Sequence, residues 1–228
     1  MDSAYLLYAG IKYGCDIHAY YVKSEFQPQF ELEDAERLAK ELGARMTIIE
    51  LSVLQYPDVT ANGPRRCYYC KHQIFSRIIS AAQADGYTLL LDGTNASDDV
   101  NDRPGMQALK ELSVRSPLRE CGLTKAEIRQ LSREAGLFTW DKPAYACLAT
   151  RIPTGTVITA ADLIATENAE SALFALGFTD FRVRKAGDTA KLQVPEVQLS
   201  KVLENRTEIL ERLKPYYRSI TLDLEVRS

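Results

Sequence analysis

The chain has 228 residues, 46% of them hydrophobic and 26% charged, an ordinary globular composition that excludes a disordered polymer. Asp and Glu number 31 against 28 Lys and Arg, a net charge of -3. That balance excludes a protein held to nucleic acid by bulk charge, though not a local basic pocket. No apolar run approaches the roughly 20 residues of a membrane helix, and no charged-then-apolar leader opens the sequence. Five cysteines, an odd number without a secretory signal, predict thiols, metal ligands or catalytic groups rather than a disulfide frame. The expectation is a soluble, cytoplasmic α/β protein with no membrane partner.

Residues 2–14 carry apolar side chains at helical spacing (Tyr5, Leu6, Tyr8, Ala9) and end on Gly14, a suitable cap. Residues 17–23 predict a strand. Residues 31–43 predict an amphipathic helix with Leu32, Ala35, Leu38, Ala39 and Leu42 on one face. A strand over 46–51, a helix over 70–84 and a buried strand over 88–92 follow. A polar loop then leads to a short strand around 109–114. Thr124 with Glu127 three residues later forms a capping box for a helix over 124–136.

Strand and helix alternate with short connections, which predicts a parallel, doubly wound sheet over residues 1–150. The alternation stops near Pro153-Thr154-Gly155. Residues 151–228 predict a small α+β domain: a helix over 160–177, strands over 181–185 and 189–194 around a hairpin turn, a helix over 196–213, and a strand over 219–224.

Cys67 and Cys70 form a C-x-x-C just ahead of the predicted 70–84 helix. The pair alone fits half a zinc site, a redox couple, or two ligands of an iron–sulfur cluster. The only histidines are His18 and His72, and no second C-x-x-C exists, so a zinc site lacks ligands. Cys147 lies at the predicted domain junction, where pockets are most often built. Three thiolates from two segments suit a 4Fe-4S cluster with one iron open. Cys15 and Cys121 lie outside these motifs and are expected to be buried small hydrophobes. Asp92-Gly93-Thr94-Asn95 closes a predicted buried strand, where ligands bind in open α/β sheets, although turn chemistry favours the same residues. Arg182 and Arg184 alternate on a strand and share one face, an arrangement that suits a phosphate or carboxylate. A solvated sheet face is the alternative.

Together these segments resemble the LarE family of ATP-dependent sulfur transferases, in the PP-loop ATP pyrophosphatase superfamily. The resemblance is carried by residues 2–8 (DSAYLLY), Glu33-Asp34-Ala35, Arg66-Cys67-Tyr68-Tyr69-Cys70-Lys71, Asp92-Gly93-Thr94-Asn95, Asp102-Arg103-Pro104-Gly105 and residues 123–129. Its most specific stretch is 140–155, WDKPAYACLATRIPTG. It implies a Rossmann-like fold of the adenine nucleotide alpha hydrolase type and a carboxy-terminal domain for substrate binding and oligomerisation. It further implies that ATP adenylylates a carboxylate of a pyridinium dicarboxylate mononucleotide. Sulfur then displaces AMP to give a thiocarboxylate, a step toward the nickel-pincer cofactor of lactate racemase.

One branch of the family sacrifices a cysteine, one place earlier than Cys147, where this chain has Ala146. Another holds a 4Fe-4S cluster on three cysteines, with a replaceable sulfide on its open iron. The resemblance therefore implies Cys67, Cys70 and Cys147 as cluster ligands, with Cys147 at the chemistry and a sulfide donor as a partner. Asp2 would help hold Mg²⁺, Ser3 would donate to a phosphate, and Asp92, Gly93, Thr94 and Asn95 would border the nucleotide. Arg182 and Arg184 would take the substrate phosphate, with Arg103, Arg151 and Glu170 as neighbours. A homo-oligomer is expected.

The family's phosphate loop reads Ser-Gly-Gly-x-Asp-Ser after a buried central strand, whereas this sequence opens Met1-Asp2-Ser3. The expectation is two strands left unpaired on facing edges, and weak ATP binding. Two rival readings are a tRNA-thiolating PP-loop enzyme and a degenerate nucleotide- or metal-binding module. The net charge of -3 and the absence of a basic run weigh against nucleic acid.

Overall fold

The computed structural model describes residues 1–98 and 104–227. In chain order the elements are α1 (Asp2–Lys12), β1 (Ala19–Lys23), α2 (Gln29–Leu42), β2 (Met46–Glu50), α3 (Pro57–Thr60), α4 (Arg66–Ala84), α5 (Pro104–Glu111), α6 (Pro117–Glu120) and α7 (Lys125–Glu134). A 3-10 turn at Leu148–Arg151 leads to α8 (Ala160–Ala175), β3 (Arg182–Ala186) and β4 (Thr189–Gln193). A second 3-10 turn at Glu196–Gln198 precedes α9 (Leu199–Glu204), α10 (Arg206–Leu213) and β5 (Ser219–Leu222).

The chain divides into two compact units. The first comprises Met1–Ser24, Gln29–Val53 and Arg65–Lys142; the second comprises Glu25–Pro28, Leu54–Pro64 and Pro143–Ser228. Short early segments join the second unit through backbone bonds: Leu148 N–H to Phe26 O at 2.9 Å, Gly155 N–H to Asn62 O at 2.9 Å, and Ile158 N–H to Thr60 O at 2.8 Å. Asn62 is fully buried at φ 53, and its amide donates to Ile152 O and Pro153 O.

The first unit is α/β. β1 and β2 pair in parallel from Ala19↔Met46 to Lys23↔Glu50. Ala4 and Leu7 of α1, Leu38 of α2 and Leu137 form its buried cluster. α7 carries the predicted capping box, with Glu127 N–H bonded to Thr124 Oγ1 and Thr124 N–H to Glu127 Oε2.

Three predicted elements differ. The strand expected over 88–92 is reduced to one parallel bridge, Leu91↔Arg115. Among the described residues, no strand lies on its other edge or on the free edge of β1. A strand needs a neighbour on the ladder, and apolar composition alone does not supply one. Of the strand expected over 109–114, residues 109–111 are instead the end of α5 and 112–113 the turn after it. Pro104 opens that helix, Gly105, Ala108 and Leu109 recur at helical spacing on its buried face, and Ser113 closes it at φ 55. The helix expected over 196–213 breaks into the 3-10 turn, α9 and α10. Asn205 (φ -96, ψ 15) ends one helix and opens the next.

In the second unit β4 is central, antiparallel to β3 and parallel to β5. Gly187 at φ 60 makes the β3–β4 turn, the position that requires a glycine. Val183, Ala190 and Leu192 pack with Leu173 of α8 and Ile209 and Leu213 of α10. Strand alternation sends Arg182, Arg184, Lys191 and Gln193 to the opposite face.

That polar face sets an acid limit. Burial opposes ionisation of Asp223, but Lys191 and then Gln193 hydrogen-bond the carboxylate and hold its pKa below the ordinary value. Glu120 and Glu127 are lowered by Arg115 and Thr124. A depressed folded-state pKa contributes stability above the unfolded value, lost as pH falls through the folded one. Melting temperature is therefore expected to fall below about pH 4, mainly through Asp223, because Glu120 and Glu127 are exposed carboxylates of the first unit. Asp223→Asn should flatten part of that fall; a melting curve flat from pH 5 to 3 would contradict the assignment.

Candidate functional site

In the first unit, the start of α1 meets the 92–95 turn. A Cβ on Gly93 would lie 2.6 Å from Ser3 Oγ and 2.7 Å from Ser3 N, so only glycine allows this approach. Asp92 Oδ1 accepts from Ser116 Oγ at 2.6 Å, and its Oδ2 from Thr94 Oγ1 at 2.5 Å. Asn95 Oδ1 accepts from Ser97 N–H at 2.9 Å. Thr94 and Asn95 are buried. The turn is thus braced largely by its own side chains.

Asp2 is different. Its Oδ2 pairs with Lys125, while its buried Oδ1 has no hydrogen-bond partner among the described residues. An orphaned carboxylate oxygen beside the Ser3–Gly93 contact has the hard donor chemistry that Mg²⁺ accepts. A cavity of about 810 Å³ opens here, running from Ser3 and Gly93 past Tyr20 and Tyr21 of β1, Ile78 of α4 and Leu89–Leu91. One face of α1 forms much of its wall, with β1 and residues 88–91 opposite. Arg103 lies outside the described residues.

Cys67 and Cys70 fall inside α4, as its second and fifth residues, rather than ahead of it. The i, i+3 spacing puts both sulfurs on one helix face. Cys67 is exposed and Cys70 half-buried, and Arg66 Nη2 stands 3.6 Å from Cys67 Sγ. Arg65 stacks on Tyr68 at 4.6 Å. Cys15 and Cys121 are exposed, correcting the expectation that they fill the core. Gly14 and Gly122, at φ 75 and φ 71, carry their segments through surface turns. Among the described residues no three His, Cys, Asp or Glu side chains gather as a metal-holding group. The donor chemistry of the Cys67–Cys70 pair nevertheless suits iron or another soft metal.

The second unit gathers four guanidiniums. Arg151 is 1% exposed and binds Glu170 in a fork, Nε to Oε1 at 2.8 Å and Nη2 to Oε2 at 3.0 Å. Arg182 donates to Phe181 O and Ala144 O, at 2.6 and 2.5 Å. Arg184 donates to Gln193 Oε1 at 2.5 Å and to Thr150 O at 2.8 Å. Arg227 bonds Asp180 at 2.8 Å. The Tyr145 ring lies 4.5 Å from the Arg151 guanidinium carbon and 5.3 Å from that of Arg182.

Burial, then repulsion from Arg151 and Arg227, pulls the Arg182 pKa down to about 10 and lowers that of Arg184 in the same way. Burial also opposes the Arg151 charge, but Glu170 more than offsets it, so that pKa is raised. Burial and the neighbouring guanidiniums thus oppose the charge of Arg182 and Arg184, with Asp180 4.0 Å from Arg182 Nη1, and a bound anion would relieve that opposition. Sequence reading missed Tyr145, Asn62 and Lys125. Glu170 had an intrinsic signal, since with Leu163, Thr166, Ala169 and Leu173 it lies on the buried stripe of α8, and a carboxylate there needs a partner.

No protein-family model matches the chain. It is 37% identical to an uncharacterized protein of Synechocystis over 198 residues, covering 86% of this chain and 74% of that protein. It is 33% identical to the pyridinium-3,5-bisthiocarboxylic acid mononucleotide synthase of Lactiplantibacillus plantarum over 210 residues, 92% of this chain and 76% of that enzyme. Among solved structures, an NMN synthetase from Francisella tularensis aligns at TM-score 0.49 and 14% identity, covering 94% of this chain and 80% of that one. The α/β chain is an ATP-dependent enzyme of the PP-loop superfamily. Within that class it belongs to the LarE family of sulfur transferases.

Proposed function

We propose that the enzyme adenylylates one carboxylate of a pyridinium dicarboxylate mononucleotide and converts it to a thiocarboxylate, in the assembly of a nickel-pincer cofactor. The observation that carries this reading is the pair Arg182 and Arg184, neighbours on one strand face whose charge is opposed by burial and by Arg151 and Arg227. It is supported by the 33% identity to a relative named for such a product.

A carboxylate resists nucleophiles. Attack of its oxygen on the α-phosphorus of ATP expels pyrophosphate and leaves an acyl adenylate. A sulfur nucleophile then adds at the acyl carbon, and AMP departs with the C–O electron pair. Asp2, through its orphaned Oδ1, would hold Mg²⁺, Ser3 would donate to a phosphate, and the turn Asp92–Asn95 would border the nucleotide. Arg182 and Arg184 would bind the substrate phosphate, with Arg103, Arg151 and Glu170 as neighbours. Cys67, Cys70 and Cys147 would hold a 4Fe-4S cluster, which when bound supplies a replaceable sulfide that a sulfide donor restores. Cytoplasmic location and a homo-oligomer belong to the same proposal. Among the described residues no helix is long and apolar enough to cross a membrane.

The test is pyrophosphate release from Mg-ATP, with and without pyridinium-3,5-dicarboxylate mononucleotide, and mass analysis for exchange of one oxygen by sulfur. Release should depend on the mononucleotide, and tRNA should not replace it. Arg184→Gln is expected to raise KM for the mononucleotide about 10- to 100-fold, the loss of one charge-assisted contact, with a smaller change in kcat. Absence of mononucleotide-dependent release would remove the proposal.

A further inference from the structure

We infer that Glu170 is a positioning residue that locks the Cys147 segment to the strand carrying Arg182 and Arg184, an inference resting on the sulfur-transfer reading of those residues. Four donors converge on its carboxylate. Oε1 accepts from Arg151 Nε at 2.8 Å and from the Val183 N–H at 2.9 Å. Oε2 accepts from Arg151 Nη2 at 3.0 Å and from the Tyr145 hydroxyl at 2.5 Å. An ionised carboxylate offers about four acceptor sites, and here the protein occupies all of them. The side chain is also 2% exposed. Glu170 thus has no lone pair left for a substrate or a metal.

What it does hold is informative. Tyr145 and Arg151 flank Cys147 on either side in the chain, and Val183 lies between Arg182 and Arg184 on β3. The same segment is bracketed again by the arginines themselves. Arg182 donates to Ala144 O and Arg184 to Thr150 O, while Arg151 Nη1 donates to Ala146 O at 2.8 Å. Leu148 and Ala149, both fully buried, pin the turn beyond Cys147. The sulfur of Cys147 and the two guanidiniums are therefore held in one register. A phosphate gripped by Arg182 and Arg184 would be placed at a set distance from Cys147, as orientation in acyl transfer requires.

A buried ion pair can also be merely structural, and apolar replacement of both partners is often neutral for stability. The test separates the two roles. Each cysteine of the metal-free 228-residue chain is labelled with iodoacetamide and quantified by peptide mass spectrometry, with exposed Cys15 and Cys121 as internal references. The variants are Arg151→Met/Glu170→Leu, which removes the clamp while refilling the core, and Tyr145→Phe, which deletes one hydroxyl. The double variant is expected to melt below wild type, because the Val183 N–H and Ala146 O lose their partners, yet to stay folded at about 25 °C and label Cys147 about tenfold faster relative to Cys15. Tyr145→Phe should speed Cys147 about fivefold, with the reference thiols unchanged.

Unchanged relative labelling of Cys147 in a folded double variant would overturn the positioning role. If the double variant does not fold, Tyr145→Phe decides alone: faster labelling supports the role, and an unchanged rate overturns it. Labelling needs neither ATP nor mononucleotide. Failure of pyrophosphate release with accelerated labelling would therefore strike the functional proposal and leave the clamp standing.

Discussion

Replacing Arg151 by Met alone is expected to lower the unfolding free energy by about 3–5 kcal/mol, a large share of the roughly 5–15 kcal/mol that holds a domain. The Arg151 side chain is 0% exposed and that of Glu170 2% exposed, so no solvent takes over when one partner goes. Glu170 would keep the Val183 N–H and Tyr145 hydroxyl but lose its counter-charge, leaving a buried anion uncompensated. Ala146 O and Thr150 Oγ1 would lose a donor as well. Urea denaturation of wild type, Arg151→Met and Arg151→Met/Glu170→Leu measures this. The single variant should lose most, and the double variant should recover the part due to the uncompensated charge while still lacking the bonds to Val183 N–H and Ala146 O. A single-variant cost below about 1 kcal/mol would place the pair with exposed ion pairs instead.

Anaerobic iron and acid-labile sulfide analysis should give about four of each per chain after reconstitution, the content of one 4Fe-4S cluster. Cys147→Ala should lose that content and the visible absorption, because two remaining thiolates at Cys67 and Cys70 hold such a cluster poorly. Cys15→Ala, at an exposed thiol outside the motif, should keep both. Equal iron in Cys147→Ala and wild type would remove the three-cysteine site and return Cys67 and Cys70 to the zinc and redox readings. The chemical reason to expect iron is the donor set: thiolates are soft ligands, and two of them already share one face of one helix.

Much of the site's inventory was legible in the chain. The alternation of Arg182 and Arg184 put both on one sheet face, and the β3–β4 register bears this out. The close approach of Ser3 to Gly93 was not legible, because nothing local ties the start of α1 to the 92–95 turn. What could not be read was how those groups are satisfied. Whether Arg151 faces a ligand or a carboxylate depends on Glu170, 19 residues away, and Tyr145 reaches Glu170 across 25. Neither separation leaves a periodic mark.

By itself the sequence determined the elements whose causes lie within a turn or two. The Thr124–Glu127 capping box, the apolar stripe of α2, the β1 and β2 strands and the β3–β4 hairpin all rest on neighbours a few residues apart. Only the tertiary structure decided the rest. Residues 88–92 look like a strand but keep a single bridge, because a ladder needs a partner that the described chain does not place there. Residues 196–213 look like one helix but bend at Asn205 so that Val202 and then Ile209 and Leu213 reach the same core. Cys15 and Cys121 read as core residues but sit on surface turns. Local propensity is set by steric and hydrogen-bonding demands that each residue carries with it. Pairing, burial and charge compensation depend on distant segments meeting, and that is settled only when the whole chain packs.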